Sequence, residues 1–335
     1  MIKHITNINN IGGTASLAQE NVTKIAHKLG MREMGLFNYA VWSDSDTELS
    51  RRMDGIIGSL HHDDFVLFQY PSWNHERYDH ALVDHIKVFQ NIKLAIWVED
   101  VESLMFATGL AALSREISLF NRADLLILPS KAMHEVLKEN GLTQTNVLYQ
   151  TIWDHLTDTV YTEHKTIRRI LFTGDYSRFP FLADYHGKTP LHLYTNVKPE
   201  RENDASFEWK GGQSSGELLR TLSEGGFGLV WSDDEYFDRY YSINQPHKLG
   251  FNLTAGIPVI VRKGCAHEEF VKANKVGFVA SSLEEVDSII QNITDEEYNQ
   301  LYSNIKNIQC LLTSGAYTSK LLQDAFVKMY DSYVM

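Results

Sequence analysis

The stretch Asn244-Gln245-Pro246-His247-Lys248-Leu249-Gly250 sets side-chain donors and a cation where a polar loop runs into a short helix. The first N–H groups of a helix have no partner inside it, and the macrodipole makes that end positive. Such a start favours an anion, and a diphosphate suits it. Ala255-Gly256-Ile257-Pro258 then stops the helix, and Val259-Ile260-Val261 has the β-branched, apolar character of a buried parallel strand. The same letters also fit an ordinary αβ connection with a polar start. A second cation, Arg178, follows the strand Ile170–Thr173 and the turn at Gly174. Its guanidinium is a permanent, forked charge that matches phosphate oxygens, although a surface arginine after a turn is the plainer reading.

Two further places offer chemistry. Lys93 to Val98 reads as a strand that delivers Glu99 and Asp100 at its carboxyl end, where open α/β sheets hold their ligands. Asp100 facing a ligand can take a proton from a hydroxyl; equally, it can cap a helix that begins near Val101. Near the N-terminus, the strand Met1–Ile8 meets Gly12 and Gly13 before a helix. Gly13 lets the backbone approach a ligand, and Thr14 or Ser16 can cap that helix while lending a hydroxyl to a phosphate or sugar. Asp44-Ser45-Asp46 is formally a DxD, the arrangement that holds a divalent metal on a nucleotide diphosphate. It lies in a Ser/Asp-rich helix entry, so a cap is the preferred reading and no metal is expected. His75, His80 and His85 are spaced five apart, which turns each ring away from the last around a helix.

These residues need strands and helices to hold them. Apolar runs at Asp64–Tyr70, Asn91–Val98, Leu125–Leu128, Asn146–Tyr149, Ile170–Phe172, Leu191–Tyr194, Phe207–Trp209 and Phe227–Trp231 alternate with helical patterns. Phe37–Trp42 reads as another strand. A polar segment from Thr151 to Arg169 reads as a linker, and a charged excursion runs to Asp204. Two α/β domains follow, with boundaries at 1–155 and 166–316, and a helix at 317–335 with an apolar stripe that suits either the first domain or a subunit contact. With 335 residues and 43% hydrophobic content, the chain can bury two cores. A net charge of −12 argues against nucleic-acid or anionic-membrane partners. Two distant cysteines, no apolar leader and no membrane-length run lead to the expectation of a cytoplasmic protein.

N-x-P-H-K-L followed by A-G-I-P-V-I resembles the donor-site helix of GT-B glycosyltransferases. Gln69-Tyr70-Pro71 and the Asn121–Met133 block resemble, more narrowly, the glucosyltransferases that add the second sugar to serine-rich-repeat adhesins. That group is related to β-1,6-galactofuranosyltransferases. The resemblance implies a GT-B architecture of two Rossmann-like domains facing a cleft, a UDP-glucose donor and a GlcNAc-modified serine-rich protein acceptor; a homo-oligomer is the further expectation. It implies that Arg178 reaches the donor pyrophosphate, that the glycine turn at Gly211-Gly212 meets the nucleobase, and that the Gly12–Ser16 loop faces the donor. Two departures stand out. Family members have His-Asp where this chain has Glu99-Asp100, and the places of the paired glutamates in many retaining enzymes hold Ile243 and Phe251. A galactofuranosyltransferase, an epimerase of the same fold and a non-catalytic nucleotide-sugar-binding subunit remain alternatives.

Overall fold

A computed structural model of the protein describes residues 1–106, 110–159, 165–199 and 207–331. The expected linker, the excursion to Asp204 and the end of the last helix therefore lie partly outside the described residues. The chain forms two compact units, Met1–Thr151 with Tyr317–Met335, and Ile152–Ala316.

The first unit runs β1 (Lys3–Asn9), α1 (Gly13–Lys28), β2 (Arg32–Phe37), α2 (Asp46–Ile56), β3 (Phe65–Tyr70), α3 (Glu76–Ile86), β4 (Lys93–Val98), α4 (Glu102–Met105), α5 (Leu110–Phe120), β5 (Leu125–Leu128), α6 (Lys131–Glu139) and β6 (Val147–Tyr149). Its strands form one parallel sheet in the order β2-β1-β3-β4-β5-β6. Every residue of β3 and β5 is buried, as continuous apolar runs require when helices cover both faces. The edge strand differs from the sequence reading. β2 ends at Phe37 instead of running from Phe37 to Trp42. Its inward residues are only Met34 and Leu36, alternating with exposed Arg32, Glu33, Gly35 and Phe37. A half-buried edge strand needs no long apolar run, so the neighbouring aromatic cluster outweighed it in the sequence.

The second unit runs β7 (Ile170–Thr173), α7 (Phe181–Asp184), β8 (Leu191–Tyr194), β9 (Phe207–Trp209), α8 (Ser215–Ser223), β10 (Phe227–Val230), α9 (Glu235–Tyr241), α10 (His247–Thr254), β11 (Val259–Arg262), α11 (Glu268–Asn274), β12 (Gly277–Ala280), α12 (Leu283–Asn292) and α13 (Asp295–Ser314). Its parallel sheet has the order β12-β11-β10-β7-β8-β9. Phe172, Phe181, Leu193, Phe227, Ile260 and Tyr298 belong to its main core. Thr294 and Glu297 cap α13 reciprocally, and Gly315 ends it in a left-handed conformation.

The last helix, α14 (Ala316–Tyr330), returns the chain to the first unit. There Phe326 meets Phe65 edge-on at 5.9 Å, and Lys3 sits 5.4 Å above the Phe326 ring. Leu321, Leu322, Ala325 and Met329 are buried. Among the described residues no helix is long and apolar enough to cross a membrane.

Candidate active site

In the second unit the chain builds β7, β8 and β9 outward on one side, then crosses to start β10 on the other side of β7. Such a switch point opens a crevice at the carboxyl ends of the strands. Gly174 stands at the end of β7. A Cβ there would lie 2.9 Å from Phe179 Cε2 and 3.0 Å from Lys248 Nζ, so the glycine makes room for the lysine. The ammonium sits 3.7 Å from the centre of the Phe179 ring and 4.2 Å from that of Phe172. The rings attract it through their quadrupoles, but Nζ is buried without a hydrogen-bond partner among the described residues. Burial first, and the Arg178 charge second, hold its pKa well below the usual lysine range.

Arg178 closes the short turn Tyr176–Arg178, which Asp175 fixes by accepting from the Ser177 N–H at 3.0 Å. Its exposed guanidinium lies 4.9 Å over the Phe237 ring. The structure thus brings Arg178 and Lys248 together at the carboxyl end of β7. Leaving a buried ammonium without an acceptor is costly, whereas an anion entering here satisfies both cations at once.

The other residues of the 244–250 stretch play different parts. The helix α10 starts at His247, with Pro246 as an N-cap that supplies no side-chain bond, and the Leu249 N–H donates to the Pro246 carbonyl at 3.2 Å. Asn244 is turned to structure. Its Nδ2 donates to the Tyr240 hydroxyl at 2.9 Å, and its Oδ1 accepts from the Gln245 N–H at 2.8 Å. Gln245 is buried and its carbonyl accepts from the Trp153 indole at 2.8 Å. The His247 ring stacks on Trp153 at 4.1 Å and 21°. Burial, and then the nearby His155, keep its pKa well below the usual histidine value. Leu249 is core, and a Cβ on Gly250 would fall 2.2 Å from the Trp153 carbonyl oxygen. Beside Gly212 the space is taken: a Cβ there would lie 1.7 Å from Asn196 Oδ1. Trp153 and His155 are contributors that the sequence reading left in a polar linker; Ile152, Trp153 and Asp154 are buried in the second unit.

In the first unit the switch lies between β1 and β3. The glycine loop follows β1, with Gly13 at φ 78° and open space where Cβ atoms at Gly12 and Gly13 would be. The capping role expected of Thr14 or Ser16 is not realised. α1 begins at Gly13 with Gly12 as its N-cap, which puts both hydroxyls inside the first turn, past the capping position.

Asp100 lies half-buried at the end of β4. Glu116 of α5 accepts from the N–H groups of Glu102 at 2.9 Å and Ser103 at 3.3 Å, which are the groups a helix cap at Asp100 would serve. Tyr70 donates to the same carboxylate at 3.0 Å. Glu99 is 4% exposed, and burial, followed by the Asp100 charge, pushes its carboxyl well above the usual range. Glu102 is pushed up to about 7 by burial and by Glu116, Asp100 and Glu76. Glu102 and Glu116 escaped the sequence reading because isolated carboxylates in helical stretches look like solvated faces.

Asp44 pairs with Arg52 at 3.0 Å and accepts from the Tyr39 hydroxyl at 2.6 Å; Asp46 pairs with Arg77 at 2.7 Å. Ser45 between them caps α2 in a reciprocal box with Glu48, so the DxD is a helix entry. His75 caps α3, while His80 and His85 bond the carbonyls of Arg115 and Ala81. No group of three or more candidate metal ligands occurs among the described residues. A groove of about 470 Å³ between α2 and α3 is lined by Asp46, Arg77, Glu76 and Arg115, whose charges pair with one another.

Comparison with known proteins places this geometry. HepE from Anabaena, solved in complex with UDP, superposes with a TM-score of 0.66 over 97% of this chain and 99% of its own, at 11% identity, which shows a shared GT-B fold. Glucosyltransferase 3 of Streptococcus gordonii is 37% identical over 97% of this chain and 98% of its own. Glucosyltransferase 3 of Streptococcus parasanguinis is 36% identical over 96% and 97%. The models for the N-terminal and C-terminal domains of Glucosyltransferase 3-like proteins match residues 2–152 and 170–325. With both halves matched and more than a third of its residues shared along nearly its whole length, the chain belongs to the Glucosyltransferase 3-like family of glycosyltransferases.

Proposed function

We propose that the protein transfers glucose from UDP-glucose to a sugar hydroxyl on a GlcNAc-modified, serine-rich protein. The observation that carries this reading is the meeting of Arg178 with an unpartnered, buried Lys248 at the switch point of the second unit. The UDP complex of HepE and the names of the Streptococcus relatives support the donor. In the reaction the acceptor oxygen bonds to the anomeric carbon while the bond from that carbon to the diphosphate oxygen breaks, and UDP departs with the electron pair. Charge grows on the diphosphate as that bond opens. Arg178, Lys248 and the positive end of α10 stabilise it, the part a metal plays elsewhere. Asp100 takes the proton of the acceptor hydroxyl.

The test is titration calorimetry with UDP and UDP-glucose in the absence of metal, on wild type and Arg178→Ala. Tight binding by the wild type, weakened about 10- to 100-fold in the variant, is expected for a lost charge-assisted contact. Labelled glucose should then pass to a GlcNAc-bearing serine-rich peptide. Transfer from UDP-galactofuranose in preference to UDP-glucose would overturn the donor assignment, and absence of UDP binding would overturn the whole reading.

A further inference from the structure

We infer that Trp153 and His155 are positioning residues for the donor diphosphate, acting through the first turn of α10; the inference rests on the donor site proposed above. The segment 153–155 meets residues 245–251 at six points. Trp153 Nε1 donates to the Gln245 carbonyl at 2.8 Å, its indole stacks on the His247 ring at 4.1 Å, and its carbonyl oxygen fills the space that a Cβ on Gly250 would need. His155 Nε2 bonds the His247 carbonyl at 3.2 Å, and its ring stands edge-on to both His247, at 5.9 Å, and Phe251, at 5.3 Å. Lys248 lies inside this grip, and its ammonium is the one polar group of that turn shown buried with no hydrogen bond among the described residues.

The arrangement does more than fill a core. A lysine ammonium swings on four rotatable carbons, so where it points depends on where its backbone is held. Among the described residues nothing hydrogen-bonds Nζ itself, so its place between Phe172 and Phe179 follows from the seat of the α10 start. The segment 153–155 provides that seat and is itself anchored, because the His155 N–H donates to the Leu312 carbonyl of α13 at 3.2 Å. At its other end α10 is tied to the same helix, where Gln309 donates to the Thr254 carbonyl at 2.7 Å. Both ends of the phosphate-facing helix are therefore fixed before a ligand arrives. Preorganised cations are worth most when they need no rearrangement as charge develops.

A coupling measurement separates positioning from general packing. UDP affinity is measured by calorimetry on the full-length wild type, Trp153→Ala, Trp153→Phe, His155→Ala, Lys248→Ala and the Trp153→Ala/Lys248→Ala pair, with unliganded melting temperatures alongside. Trp153→Ala and His155→Ala should each weaken UDP about tenfold, and Trp153→Phe, which keeps the stacked ring, should recover most of the loss. In the Lys248→Ala background the same Trp153→Ala change should cost less than about threefold, because the group it positions is gone. Equal losses in both backgrounds would overturn the inference, since a structural role alone adds independently. It would equally fail if the wild type binds UDP and Trp153→Ala binds it as tightly while remaining folded. If the wild type binds no UDP, the donor assignment falls and this inference falls with it, an outcome distinct from the other two. Should Trp153→Ala not fold, the comparison of Trp153→Phe with His155→Ala decides in its place: unchanged UDP affinity in the folded His155→Ala protein overturns the inference.

Discussion

Lys248 is buried where its amine has no hydrogen-bond acceptor among the described residues. Replacing it with methionine keeps the length and removes the charge, and methionine suits a slot between two phenyl rings. Lys248→Met should therefore stabilise the unliganded protein by about 1–3 kcal/mol at neutral pH while abolishing most UDP affinity. The sign with pH follows from the lowered pKa. Between that pKa and 10.5 the unfolded chain carries a proton that the folded one lacks, so wild-type stability rises with pH across the window. The advantage of the variant should shrink accordingly, as read from melting temperatures at a series of pH values. Glu102 behaves in the opposite sense. Its pKa is raised to about 7 from 4.5, so the folded chain holds a proton that the unfolded chain has released, and stability falls as pH rises through that interval. Glu102→Gln should outlast the wild type in thermal melts above pH 7 and match it below 4.5. At this scale the sequence showed the cations, because an arginine after a glycine turn and a lysine at a helix start are local patterns. It hid Trp153 and His155, whose role depends on a segment ninety-odd residues distant in the chain.

Elements were legible where burial is uniform. β3, β4 and β5 are apolar apart from Gln69 and Lys93 because helices cover both faces, and their limits fall close to those read from the letters. The start of α10 was legible only to within a few residues, because Asn244 and Gln245 look like helix-entry residues yet fold into the preceding turn. Helix α13 also carries a tie that no sequence motif announces. The hydroxyl of buried Tyr298 donates to the Gly226 carbonyl at 3.0 Å and accepts from the Gly226 N–H at 3.1 Å, closing both polar groups of the residue before β10. Tyr298→Phe keeps the ring and orphans both groups. Urea unfolding should show a loss of about 1–3 kcal/mol, against no change in the slope of the transition.

Across the whole molecule, alternation of strand and helix read twice over gave two parallel sheets, and the structure has them. The destination of the last helix was not readable, since an apolar stripe fits any apolar surface. Its packing on β1 and β3 makes a local prediction. Leu322→Ala should cost roughly 2–4 kcal/mol, and hydrogen exchange should quicken in β1 and β3 while the strands of the second unit keep their protection. The same return of α14 bears on biosynthesis. Residues up to Thr151 leave the ribosome without the helix that meets Phe65, and the entire second unit is synthesised before that helix exists. At ordinary translation speeds the wait is on the order of ten seconds. The second unit can close on itself during that time, whereas the sheet made first is finished last, with Phe65 short of its cover and open to chaperones until the nascent chain supplies Phe326.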